Sequence, residues 1–424
     1  MTSKRVVVTG YGAVCALGEN VPAIWDSIME YRVGYSRIDM SEVNVQAKYF
    51  GFMQPDRKRY KDLSKTLLKM APPFARNALV ATKEAFEMAF GAGVSPTETV
   101  SPFDVGVIIG TGWGGTDSII RNHTEFRELG VTTSFATLMS MHSVATGLAS
   151  LNWNLRGYQN TPIAACATGT MAIGDAYEII RSGRQKVMLA GGSESLVDGF
   201  NVWSIDVTQA LSKAQDDVTL ACCPFDSSRS GFVLSEGAAV LCLEELEHAL
   251  ARNATILGEV TGYASCSDAY DMTAPADDMQ ARVQVIKRSL ANAGRDAGDI
   301  DYINVHGTST RQNDLNETNS LKIALGETAR CIPMSSTKSY SGHLIGAAGS
   351  FEAIVCLKSI ETGIIPATIH LANPDPECDL DYTPNMHATG QNVDVAMNLS
   401  FGFGGTNCAL VLEKFRSTAD AAAA

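Results

Sequence analysis

One cysteine and two histidines carry the clearest chemistry in this sequence. Cys166 lies in TPIAACATGTMAIGDAYEIIRSG, where an apolar approach ends at a small-residue turn and a helix begins. A thiol at a helix N-terminus feels the positive end of the macrodipole, which lowers its pKa and favours the nucleophilic thiolate. The Gly, Thr and Ala neighbours leave room for a substrate, although a cysteine taken alone is more often a buried structural group. His306 follows the apolar run YINV in HGTSTRQNDLNET, and His343 sits in SSTKSYSGHLIGAAGS. Two neutral imidazoles aimed at one point can donate two hydrogen bonds to a developing oxyanion. Zinc ligation by Cys166, His306 and His343 is the competing reading, but none of them has local ligand spacing such as HxxxH, so no metal is expected. Lys338 stands just before His343 and Glu317 shortly after His306. As a Lys–Glu pair they could hold the site's protonation pattern; otherwise they are two solvated surface charges. In NLSFGFGGTN (398–407), Phe401 and Phe403 stand among glycines, which allow backbone N–H groups to turn inward as in an oxyanion hole; a purely structural turn is the alternative.

These residues need a scaffold, and the pattern around them is α/β. Short β-branched runs recur, each closed by Gly: Arg5 to Gly10, Val105 to Gly110, Lys186 to Gly191, Tyr302 to Gly307 and Val395 to Gly402. They read as strands buried on both faces. Amphipathic segments lie between them, such as Phe74, Ala78, Ala81, Ala85 and Met88, entered through Pro72 and Pro73, which suit a first helical turn. Setting Cys166 against His343 brings Gly169 onto Gly346, Asp175 onto Glu352 and Ala176 onto Ala353. VGVIIGTG resembles YINVHGTS, and AAVLCLEE resembles CALVLEKF, in the same order. Such ordered self-similarity marks a duplicated unit. The expected organisation is an N-terminal half, residues 1–257, with Cys166; a C-terminal half, 258–414, with His306, Lys338 and His343; and a flexible tail, 415–424.

Composition removes several function classes. The 424 residues are 45% hydrophobic and 19% charged, ordinary for a globular protein and unlike collagen, disorder or a coiled coil. A net charge of −13 gives no basic field for nonspecific nucleic-acid binding. Six basic residues, Arg57, Lys58, Arg59, Lys61, Lys65 and Lys69, cluster locally, either as a solvated helix face or as a docking patch for an acidic partner. The ten cysteines form no CxxC pair and several stand in apolar runs, which suits reduced thiols in a cytoplasmic protein. The apolar run of MTSKRVVVTG is too short for a signal segment, and no stretch of ~18 apolar residues is present, so neither export nor membrane insertion is expected. TGYGAV begins like a dinucleotide fingerprint, but Cys15 holds the third glycine position and no acidic partner follows, so no Rossmann cofactor is expected.

Taken together, RVVVTGYGAV, AACATGT, CCPFDSSRSGF with SEGAA, SDAYDMTAP, HGTST, STKSYSGHLIGAAG and NLSFGFGGTN resemble the elongating β-ketoacyl-[acyl carrier protein] synthases of the thiolase superfamily, from about Arg5 to Glu413. The resemblance implies a duplicated five-layered α/β/α/β/α fold, usually dimeric. It makes Cys166 the nucleophile that takes an acyl chain from a carrier thioester, with the backbone N–H groups of Cys166 and Phe403 as oxyanion hole. His306 and His343 would stabilise the enolate left when a malonyl thioester loses carbon dioxide, and Lys338, supported by Glu317, would keep the electrostatics correct. Thr308 and Thr310 match positions that bind the phosphopantetheine arm, Phe403 matches a mobile gate with Phe401 beside it, and the basic run Arg57, Lys61, Lys65 and Lys69 would meet the carrier protein. No cofactor of the enzyme's own is implied. Thiolases would show a second catalytic cysteine, and initiating or chalcone-type synthases an Asn at His343; a non-catalytic scaffold or chain-length-factor subunit would lack Cys166. After HGTST the sequence reads Arg311-Gln312-Asn313-Asp314 through Glu317-Thr318, resembling ketosynthase (alpha) subunits of type II polyketide synthases. That implies a heterodimer with a Cys-lacking chain-length factor; a homodimeric fatty-acid β-ketoacyl synthase II is the alternative. Asp271 replaces a common His and Ser235 a common Gly, so pocket or interface details are expected to differ.

Overall fold

The computed structural model describes residues 3–54, 56–213 and 216–417. Ten strands form one mixed sheet: β1 (Val6–Cys15), β2 (Val105–Gly110), β3 (Gln159–Asn160), β4 (Val187–Glu194), β5 (Gly237–Glu245), β6 (Gly258–Ser267), β7 (Tyr302–Asn304), β8 (Met334–Ser335), β9 (Val395–Gly402) and β10 (Thr406–Glu413). Their spatial order is β8-β7-β9-β10-β6-β1-β5-β4-β2-β3. Read outward from the β6/β1 junction, both sides run antiparallel, antiparallel, parallel, parallel. The junction itself is short, with Val6, Val7 and Val8 opposite Val260, Glu259 and Gly258.

Both faces of each half-sheet are covered, which is why the strands read as continuous apolar runs. In β2, Val105, Val107 and Ile109 pack outward and Ile108 inward, the alternation a strand imposes. Helices α1 (Pro73–Phe90) and α2 (Val144–Trp153) cover the outer face of one half, with Phe74, Leu79 and Phe86 against Leu189 and Val240. Helices α4 (Gln280–Ala293) and α5 (Arg311–Leu325) cover the other, with Ile286 and Leu321 against Ile303 and Val411. Between the half-sheets lie α3 (Thr168–Arg181) and α6 (Ala348–Thr362), whose Ile173, Ile180, Phe351 and Val355 share a core with Met188, Leu243, Val260 and Leu410. The architecture is the five-layered α/β/α/β/α expected. No helix among the described residues is long and apolar enough to cross a membrane.

Several details depart from the sequence reading. Met88 is 41% exposed while Ala75, Ala78, Ala85 and Ala89 are buried. The stripe drawn through Met88 follows the edge of the buried face, because a heptad spacing drifts around a helix of 3.6 residues per turn. TGYGAV stays inside β1 and turns into no helix. The duplicated turns are Ala165–Ala167 and Ile345–Ala347, each led by a residue of positive φ, Ala165 at 45° and Ile345 at 49°. Cys166 therefore stands opposite Gly346 and not His343; the sequence register slipped because Gly346 and Gly349 offer two glycines three residues apart. Of the segment set apart as a tail, Arg416 pairs with Asp394 at 2.6 Å, and residues 418–424 lie outside the described residues.

Where the central helices cross, a Cβ on Gly169 would lie 2.6 Å from the Ser350 amide nitrogen, and one on Gly349 2.8 Å from the Thr170 amide nitrogen. The two contacts are equivalent by the rotation that relates the halves, and neither has room to give. Gly349→Ala is expected to cost about 1–3 kcal/mol through overpacking. Urea unfolding followed by far-UV circular dichroism measures it, and an unchanged midpoint would show that the crossing is not tight.

Candidate active site

The turn Ala165–Ala167 holds Cys166 at the head of α3, with the thiol 5% exposed among Leu196, Val202, Phe232 and Ile345. Burial in this apolar setting pushes the thiol up to about 12, against the pull of the Lys338 charge and a hydrogen bond from the Phe403 backbone N–H. The helix N-terminus by itself would lower this pKa, as the sequence implies. At this buried position, desolvation of the thiolate outweighs the favourable charges.

His306 and His343 complete a triangle with Cys166. Their ring centroids are 5.5 Å apart at 81°, and ligand atoms of all three residues lie within 4.8 Å of one another. Nδ1 of His343 accepts the Ile345 backbone N–H at 3.1 Å, which places the ring proton on Nε2, and among the described residues Nε2 has no hydrogen-bond partner. Nδ1 of His306 faces the Lys338 Nζ at 3.4 Å, so its proton also belongs on Nε2. Burial, joined by the Lys338 charge, holds both imidazoles well below the ordinary histidine range. They are neutral donors. The proximity of a thiol and two imidazoles is that of a metal-binding trio, but ligation through Nε2 needs the opposite tautomer, which the Ile345 amide opposes.

Lys338 is 1% exposed. Its ammonium donates to the His306 carbonyl oxygen at 2.6 Å and forms an ion pair with Glu352. Glu352, on the first turns of α6, is thus the partner that the sequence reading assigned to Glu317. Glu317 instead accepts the backbone N–H groups of His306 and Gly307, each at 2.7 Å, and fixes the loop that carries the imidazole. Burial raises both carboxyls to about 7, with the Lys338 charge opposing this at Glu352. The signal for Glu352 was a lone acid in the apolar helix GSFEAIVCL.

A cavity of ≈ 520 Å³ opens onto this centre, lined by Cys166, His306, His343, Thr308, Thr310, Phe401 and Phe403 among others. The Thr308 and Thr310 hydroxyls are 3.0 Å apart, and Thr310 also caps α5. Phe401 packs edge-on to His306 at 5.7 Å and is buried, whereas Phe403 is half-buried at the start of a turn whose Gly404 and Gly405 take φ of 80° and 75°. Ser235 donates its N–H to the His343 carbonyl at 3.0 Å, which puts this departure beside the site. Asp271 caps an exposed loop through Thr273 and Ala274. Lys61, Lys65 and Lys69 are exposed, whereas Arg59 is committed to Glu19 at 2.6 Å; the Arg57 side chain lies outside the description. Arg282 also lines the cavity, and nothing in the sequence singled it out.

Comparison with known proteins agrees with this geometry. Residues 3–249 match the family model "Beta-ketoacyl synthase, N-terminal domain" and residues 257–372 match "Beta-ketoacyl synthase, C-terminal domain". The chain belongs to the β-ketoacyl synthase family and is a condensing enzyme of the acyltransferase type. It is 39% identical to the 3-oxoacyl-[acyl-carrier-protein] synthase 2 of Synechocystis sp. over 98% of this chain and 99% of that one. It is 36% identical to the synthase of the same name from Staphylococcus aureus, with the same coverage. Among solved structures it superposes with a TM-score of 0.89 and 31% identity on a complex described as a type II polyketide synthase acyl-carrier protein with its ketosynthase bound to the hexaketide, covering 98% of this chain and 100% of that one. It superposes equally, at 28% identity and the same coverage, on the ishigamide ketosynthase/chain length factor.

If burial dominates the thiol, alkylation of Cys166 by iodoacetamide will quicken about tenfold per pH unit from pH 7 to 9, because the thiolate fraction grows without saturating. Peptide mass mapping reads this out, and a plateau below pH 8 would show a thiolate already formed.

Proposed function

We propose that this protein extends an acyl chain by decarboxylative Claisen condensation on carrier-bound substrates. What carries the reading is the pair of Nε2–H donors beside Cys166, one of them buried and without a partner among the described residues. In acyl loading, the Cys166 sulfur attacks the carrier thioester, the Cys166 and Phe403 backbone N–H groups receive the oxyanion, and the released carrier sulfur takes the thiol proton. In condensation, the C2–C3 bond of the malonyl unit breaks and carbon dioxide leaves. The electron pair becomes an enolate whose oxygen accepts from both imidazoles, and its carbon attacks the acyl-Cys166 carbonyl. The C–S bond breaks and one solvent proton restores the thiol. Lys338 and Glu352 hold His306 neutral, Glu317 holds its backbone, Thr308 and Thr310 receive the pantetheine arm, and Phe403 gates access. The halves 1–257 and 258–414 act as one unit, because the nucleophile and the imidazoles come from different halves.

The finer reading is the ketosynthase (alpha) subunit of a type II polyketide synthase, paired with a homologous Cys-lacking subunit; a homodimeric fatty-acid synthase of type II is the second reading. The first is supported by the Arg311-Gln312-Asn313-Asp314 segment, whose Asn313 amide reaches both Asp314 and Glu317, and by the polyketide ketosynthases among the structural relatives. The names of the sequence relatives support the second. Either partner has a surface available: β3 is an exposed sheet edge, flanked in sequence by exposed Leu151, Tyr158 and Ile163.

Intact-protein mass after incubation with acyl-loaded and malonyl-loaded carrier should show acylation of wild type and none of Cys166→Ala, with elongated product only when a Cys-lacking partner is added. Elongation without the partner would establish the fatty-acid reading, and no acylation at all would end the catalytic one. Carrier docking on Lys61, Lys65 and Lys69, with Arg57, predicts that charge reversal at Lys65 and Lys69 raises the KM for carrier about tenfold and flattens its salt dependence. Unchanged kinetics would remove the patch.

A further inference from the structure

Arg282, in the first turn of α4, has no part in the chemistry above, yet it stands in the wall of the same cavity. It is 5% exposed. Its guanidinium carbon lies 4.2 Å from the centroid of the Phe401 ring, whose edge contact reaches His306. Among the described residues, Nε and Nη1 have no hydrogen-bond partner. Glu317, Asp268 and Asp314 are near enough to favour the charge, but among the described residues none forms an ion pair with it. The other buried cations of this region are answered: Arg229 by Asp375 and Asp314, Lys338 by Glu352. Burial lowers Arg282 to about 10, so it is cationic at neutral pH. A buried, charged guanidinium with unmet donors is costly unless something that enters the cavity meets them.

The chemistry of that visitor follows from the reaction. The acyl primer offers no charge, and the pantetheine phosphate is a full arm's length from the thioester, towards the mouth. The malonyl unit carries a carboxylate two carbons beyond the thioester carbonyl that the imidazoles hold. A guanidinium is planar and presents paired donors suited to a carboxylate, and the Phe401 face fixes its plane. We propose that Arg282 binds the free carboxylate of the malonyl extender and selects it over neutral acyl thioesters in the second half-reaction. This rests on the condensing function proposed above. The contact is still made as the C2–C3 bond begins to break, so it holds ground state and transition state about alike. Arg282 therefore lowers the KM for malonyl carrier without raising kcat, and the transition state remains the task of the imidazoles.

The test compares wild type, R282M and R282K. Two pantetheine analogues with an amide in place of the thioester serve as probes, one ending in a carboxylate and one in a carboxamide. Wild type should bind the carboxylate about tenfold tighter than the carboxamide, R282M should bind the two alike, and R282K should fall between. In turnover, R282M should raise the KM for malonyl carrier about tenfold while kcat falls much less. A carboxylate preference that survives in R282M would overturn the proposal. So would a loss of acyl loading as large as the KM effect, since loading involves no carboxylate and would then report a merely structural role. Should R282M fail to fold, R282Q carries the same comparison. Failure of wild type to load Cys166 or to condense would instead overturn the function on which the proposal rests, and the two failures are thereby distinct.

Discussion

The buried ammonium of Lys338 is the constraint around which the rest of the site is arranged. A lysine removed from water needs compensation, and it finds a carboxylate in Glu352 and a carbonyl and ring nitrogen in His306. Those contacts have a chemical consequence beyond stability. A cation beside the Nδ1 atom keeps His306 from taking a second proton and directs the proton it has to Nε2. Removing one member of such a buried pair typically costs about 3–5 kcal/mol, and here it would also release the imidazole from its tautomer.

The duplicated architecture explains how such different residues meet. Each half supplies a turn with an unusual positive φ and a central helix, and the helices cross at facing glycines close enough for backbone to touch backbone. One turn carries the thiol. The equivalent turn carries the Ile345 amide that locks His343, and the helix that follows carries Glu352. Symmetry sets the framework, and departures from symmetry supply the chemistry.

The reacting side chains of the site are buried. Its thiol is held in its protonated form by burial, its imidazoles are held neutral, and its glutamates are shifted upward for the same reason. In such a medium a hydrogen-bond donor aimed at a developing anion is worth more than in water, because nothing competes for the oxyanion and little reorganises when it forms. The high thiol pKa is therefore compatible with catalysis in which charge on sulfur develops only as the substrate arrives.

The sequence by itself determined the α/β class and the apolar strands and marked Cys166, His306, His343 and Lys338 as candidates, which the fold brings together, because each rests on local pattern: periodicity, turn residues and motif order. Thr308, Thr310, Phe401 and Phe403 were legible in the same way, and all line one cavity. What only the tertiary structure decided depends on distances between remote segments. Glu352 and not Glu317 answers Lys338; both acids were visible, but spacing along the chain carries no information about which one a folded helix turns inward. The repeat register needed the positive-φ turns, because two glycines three apart satisfy a sequence comparison equally well. The thiol's acidity reversed direction because the dipole of its own helix is local, whereas the desolvation that outweighs it comes from side chains of other elements. Arg282 passed unnoticed for the same reason. In sequence it is one charge on an amphipathic helix, and only the fold buries it without a partner in the wall of the active site.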